Sequence, residues 1–85
     1  GTMNTQGEGI VLIENLSPQL TDSQIHQFFS HVSEVTSVLI PPKDNSQSSR
    51  CCWINVENTI VTLGKLSTLS IGQDKLDFKL EALLE

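Results

Sequence analysis

The chain has 85 residues, 38% of them hydrophobic, and a formal net charge of −5. That length suits one domain with a single modest core, and the acidic balance argues against strong nucleic-acid binding by this chain alone, because long-range electrostatics repel a polyanion. No apolar run approaches the roughly 18 residues that span a bilayer, and no signal-peptide apolar region opens the chain, so a nuclear or cytoplasmic setting away from membranes is expected.

Gly1-Thr2-Met3 resembles a protease-cleavage scar, and "GTMNTQGE" (residues 1–8) reads as a disordered lead-in to one module cut from a longer chain. "GIVLIENL" (9–16) reads as a strand, with Val11 and Ile13 on one face and Leu12 and Glu14 on the other. "SPQLTDSQ" is a loop running into a helix, with Thr21 or Asp22 as N-cap. Ile25, Phe28, Phe29 and Val32 then form one apolar helical stripe.

"EVTSVLI" (34–40) is a second strand, with Val38 and Ile40 on one face and Ser37 and Leu39 on the other. Pro41-Pro42 ends it, since proline cannot donate to a ladder. A polar loop over 41–49 leads into a third strand over 50–56, which contains the only tryptophan, Trp53. Alternation sets Trp53 with Cys51 and Asn55, away from the apolar set Cys52, Ile54 and Val56. A second helix over about 58–67 carries Ile60, Val61, Leu63 and Leu66. After a turn near Gly72, "KLDFKL" (75–80) alternates as a last strand, with Leu76, Phe78 and Leu80 inward and Lys75, Asp77 and Lys79 outward. The tail "EALLE" (81–85) either extends that strand or begins a short helix.

Adjacent strand residues such as Cys51 and Cys52 point to opposite faces, so no disulfide between them is expected. His26 and His31 are five apart and do not share a helix face, so neither a zinc site nor any cofactor is expected. The carboxylates are scattered, no nucleophile has a paired base, and neither Gly9 nor Gly72 belongs to a phosphate loop. The chain is therefore not expected to be an enzyme.

The order β-α-β-β-α-β places the chain in the α+β class, as a ferredoxin-like, four-stranded antiparallel sheet with two helices on one face. Over residues 9–80 this order and spacing resemble the RNA recognition motif, or RRM. The first-strand signature stands as "VLIENL" (11–16), the first-helix pattern as Ile25, Phe29 and Ser33, and the third-strand octamer as "SRCCWINV" (49–56). The resemblance implies an RRM-like domain over 9–80 with residues 81–85 as a C-terminal tail.

Members of that family stack bases on up to three sheet-surface aromatics. The matching positions here are Leu12, Cys51 and Trp53, so one ring remains. The basic residue that opens the octamer is Ser49, with Arg50 after it, and the octamer glycine is missing. The expected open face gathers Leu12, Leu39, Cys51 and Trp53, with Arg50, Asn55, Glu14, Lys75, Asp77 and Lys79 around them.

An outward tryptophan exposes part of roughly 150–250 Å² of apolar surface, and tryptophan is enriched at protein–protein hot spots. The resemblance therefore implies an atypical RRM that docks a protein partner around Trp53, as a monomeric module of an RNA-binding protein in mRNA processing or export. A narrower similarity is to the last RRM of fungal multi-RRM proteins tied to mRNA export, where a sheet-face tryptophan contacts the export machinery. Two alternatives stand beside it. One is weak, loosely specific single-stranded RNA binding through the same face, aided by neighbouring RRMs. In the other, Leu83 or Leu84 of the tail folds over Trp53 and covers it.

Overall fold

The computed structural model describes residues 7–44, 46–71 and 74–84. The expected cleavage scar at residues 1–3 and the turn residue Gly72 lie outside them. The elements run β1 (Gly9–Leu16), α1 (Asp22–Ser30), β2 (Val35–Leu39), β3 (Arg50–Val56), α2 (Thr59–Leu66), β4 (Ser70–Ile71), β5 (Asp74–Lys75) and β6 (Asp77–Leu83). β2, β3, β1 and β6 lie side by side in that order, every neighbouring pair antiparallel. This is the ferredoxin-like arrangement expected from the order of elements, with β4 and β5 forming a separate small hairpin. Among the described residues no helix is long and apolar enough to cross a membrane.

The helices form where local chemistry favours them. Thr21 caps α1: its hydroxyl accepts from the Gln24 N–H at 3.1 Å, and the Gln24 side chain accepts from the Thr21 N–H at 2.8 Å. This reciprocal capping box satisfies two donors that a helix start leaves orphaned. Asn58 caps α2 by accepting from the Val61 N–H at 3.1 Å. α2 turns a different face to the sheet from the one its apolar residues suggest. Thr59, Thr62 and Leu66 are buried, while Ile60 and Val61 are exposed. Thr62 is suited to the interior because its hydroxyl donates to the Asn58 carbonyl at 2.6 Å. The core lies between sheet and helices, where Ile25, Phe29 and Leu66 meet Val11, Ile13, Cys52, Ile54 and Val56.

β1 runs down the middle of the sheet and needs glycine at its start. A Cβ on Gly9 would overlap Thr59 Cγ2 and come within 2.9 Å of the Ala82 carbonyl oxygen. Among the described residues three bulges interrupt the ladders. Glu14 and Asn15 together oppose Cys51 between the Ile13–Cys52 and Leu16–Arg50 pairs. Asn15 takes φ 61°, a left-handed conformation that asparagine tolerates better than most residues. The extra residue turns Leu16 back into the core, where it is 2% exposed. Thr36 is inserted in β2 between Val35 and Ser37, and Glu81 is inserted in β6 between Leu80 and Ala82.

Residues 81–83 continue β6 along β1, and the Leu84 N–H donates to the Glu8 carbonyl at 2.8 Å. The tail therefore extends the strand. It does not cross to Trp53, which lies beyond β1 on β3. The end of the lead-in is also held, since the Gly7 carbonyl accepts from the Thr59 N–H at 3.0 Å.

Candidate functional site

The sheet face away from the helices is assembled in rows by the strand register. Leu39, Trp53, Leu12 and Lys79 lie across β2, β3, β1 and β6. The next row is Ser37, Asn55, Ile10 and Ala82. On the other side of the tryptophan row, Cys51 lies against the β1 bulge, and Glu14 pairs with Asp77. Eight of the ten expected residues thus occupy this face: Trp53, Leu12, Leu39, Cys51, Asn55, Glu14, Asp77 and Lys79.

Two do not. Arg50 shares the side of β3 occupied by Cys52 and Ile54, and it is only 7% exposed. Its guanidinium donates to the Leu20 carbonyl at 2.8 Å, to Asp22 Oδ1 at 2.7 Å and to the Pro41 carbonyl at 3.4 Å. Three fixed acceptors from the β1–α1 loop, the start of α1 and the β2–β3 loop hold it inward, so it is no cation of the open face. A buried arginine is stable only with such partners. Lys75 is exposed but belongs to the β4–β5 hairpin, where it pairs with Ser70, and it does not lie on the four-stranded sheet.

The apolar centre is less exposed than its sequence suggests. Leu12 is 7% exposed, because Trp53 on one side and Lys79 on the other flank it in register. Trp53 is half-buried, with Leu12 and Leu39 as its cross-strand neighbours, and Leu39 at the sheet edge is 67% exposed. A shallow groove of about 640 Å³ runs over Ile10, Ser37, Val38, Leu39, Trp53 and Asn55, with no charged residue in its lining. On the far side of Trp53 a second hollow of about 340 Å³ is walled by Pro41, Pro42, Lys43 and Asp44. Asp44 accepts from the Ser46 N–H at 2.9 Å and from its hydroxyl at 2.7 Å, which holds the carboxyl below its ordinary pKa and shapes the loop beside the hollow.

Sequence reasoning missed Ile10, although its parity with Leu12 places it on this face. It also missed Ala82, which carries no such signal: the Glu81 bulge shifts the end of β6 by one residue and brings Ala82 beside Ile10. Cys51 is half-buried on the open face, whereas Cys52 is fully buried, and burial pushes its thiol up to about 12. Among the described residues no His, Cys, Asp or Glu cluster is arranged to hold a metal ion.

The family model of the RNA recognition motif matches residues 11–60, which is more than half of the chain and runs from β1 into the first turn of α2. No curated protein and no solved structure matches the chain. With the β2-β3-β1-β6 sheet, the helices on one side and the open face on the other, the chain belongs to the RNA recognition motif family.

Proposed function

We propose that this RRM docks a protein partner on its open sheet face around Trp53, as a module of a nuclear or cytoplasmic RNA-binding protein in mRNA processing or export. The observation that carries this reading is the composition of the face. Its centre is the uncharged groove beside Trp53. Of three cations expected to meet phosphate, Arg50 is bonded inward and Lys75 sits on the hairpin, which leaves Lys79. Of the three stacking positions, Leu12 and Cys51 offer no ring.

One stacked base contributes about 1–3 kcal/mol, far short of the roughly 8 kcal/mol that micromolar affinity needs. An apolar groove with a central tryptophan is instead the composition of a protein–protein hot spot. The test is a titration of the isotope-labelled chain with a random-sequence RNA hexamer pool, then with purified export and processing factors, following the Trp53 indole N–H. RNA is expected to bind with a dissociation constant weaker than about 100 μM near physiological salt. A protein factor is expected to shift the indole. Sub-micromolar RNA binding overturns the proposal.

A further inference from the structure

Charge is distributed unevenly along the open face. Past the Gly9–Val56 pair, Glu8 is the residue just before β1 and Glu57 the residue just after β3, both on the parity of the open face. Their backbones continue the ladders, since the Glu57 N–H donates to the Glu34 carbonyl at 2.9 Å and the Glu8 carbonyl accepts from Leu84. At the opposite end of β1, Glu14 and Asp77 stand directly across from each other. All three of Glu8, Glu14 and Glu57 are exposed, as is Asp77. Like charges directly opposite on a sheet repel. From Glu8 to Glu14 the strand covers about 20 Å at roughly 3.3 Å per residue. Between these ends lie Ile10, Leu12, Trp53 and Leu39, with Lys79 as the cation in the described rows.

We infer that the face selects a peptide segment with an apolar centre and a basic group at each end, spaced to meet Glu8 and Glu57 at one end and Glu14 and Asp77 at the other. This rests on the protein-docking reading above and adds the chemistry of the partner. A strand of phosphates would place negative charge against both acidic ends. A basic-flanked peptide relieves the repulsion within each end and puts its apolar side chains on Trp53 and in the groove. The net charge of −5 steers such a segment in and repels nucleic acid.

The experiment uses the 85-residue chain and three synthetic peptide pools. The pools share a randomised apolar hexamer core and differ in their flanks, which are lysine pairs, glycine pairs or glutamate pairs. Binders are expected from the lysine-flanked pool. They should lose affinity by about ten-fold or more when Glu8, Glu14 and Glu57 become Gln and Asp77 becomes Asn, changes confined to exposed side chains. The same binders should be lost on Trp53→Ala. If glycine-flanked peptides bind as tightly and ignore the neutralised variant, docking on Trp53 stands and the charge selection is overturned. Lysine-flanked binders that survive Trp53→Ala overturn the inference as well, because they then sit elsewhere on an acidic surface. If no pool yields a binder, or the RNA hexamer pool displaces the peptides, both this inference and the docking reading fail.

Discussion

The two sides of β3 differ in a way that polarity alone does not anticipate. Toward the helices the strand sends Arg50, Cys52, Ile54 and Val56, none more than 7% exposed. Toward the open face it sends Cys51, Trp53 and Asn55, with the chain's only tryptophan at the centre. The cation is inside and the largest apolar ring is outside. Each placement has a local cause. Arg50 finds Leu20, Asp22 and Pro41 within hydrogen-bond reach, and Trp53 finds Leu12 and Leu39 beside it in register. Alternation along the strand sets the side, and the available partners make each placement stable. One consequence is that the inner side carries the stability of the fold, while the outer side is the one proposed above to bind.

The harshest way to break that contrast is Ile54→Asp, which puts an unpaired carboxylate at a fully buried core position. It is expected to cost several kcal/mol and unfold the domain. A native-like cooperative melt by circular dichroism would mean that the inner side is not the core. On the outer side, Trp53→Ala removes a half-buried ring and leaves no cavity between sheet and helices. Its melting temperature should fall only slightly, while partner affinity drops by roughly 2–4 kcal/mol, the range of a central hot spot. A large fall in melting temperature with unchanged binding would reverse the assignment of the two sides.

Arg50→Met sharpens the same comparison, because it keeps the bulk of an inner residue and removes its donors. The loss of bonds to Leu20 and Asp22 is expected to cost about 1–3 kcal/mol in urea unfolding. The figure stays modest because the Asp22 side chain is 64% exposed and solvates itself when freed. RNA affinity should not change, and a clear loss of it would return Arg50 to the open face.

The gentlest probe compares the adjacent thiols. Burial pushes Cys52 up to about 12, from an ordinary value near 9. Above about pH 9 the unfolded chain releases this proton while the folded chain keeps it, so stability falls as pH rises through that window toward about 12. Unfolding midpoints should therefore decline between about pH 9 and about pH 11, by up to roughly 1.4 kcal/mol per pH unit. Cys52→Ala should flatten that decline. In the native state a thiol reagent is expected to modify Cys51 and spare Cys52.

Much of this molecule follows from local rules that need no knowledge of the partner strands. Alternation in "RCCWINV" puts Trp53 opposite Ile54 in facing, the Thr21–Gln24 pair starts α1, and the order of elements leads to a split β-α-β sheet. Tertiary structure decided what periodicity cannot see. A bulge shifts facing by one residue, so Leu16 turns inward past Asn15 and Ala82 turns outward past Glu81. The β4–β5 hairpin removes Lys75 from a face to which simple alternation had assigned it. Arg50 reads as a surface cation until folding brings Asp22, 28 positions earlier in the chain, within 2.7 Å of its guanidinium. The sequence determines which side chains can share a strand face, because that depends on neighbours two residues apart. Which of them meet across the sheet depends on pairing between distant segments, and only the assembled fold supplies it.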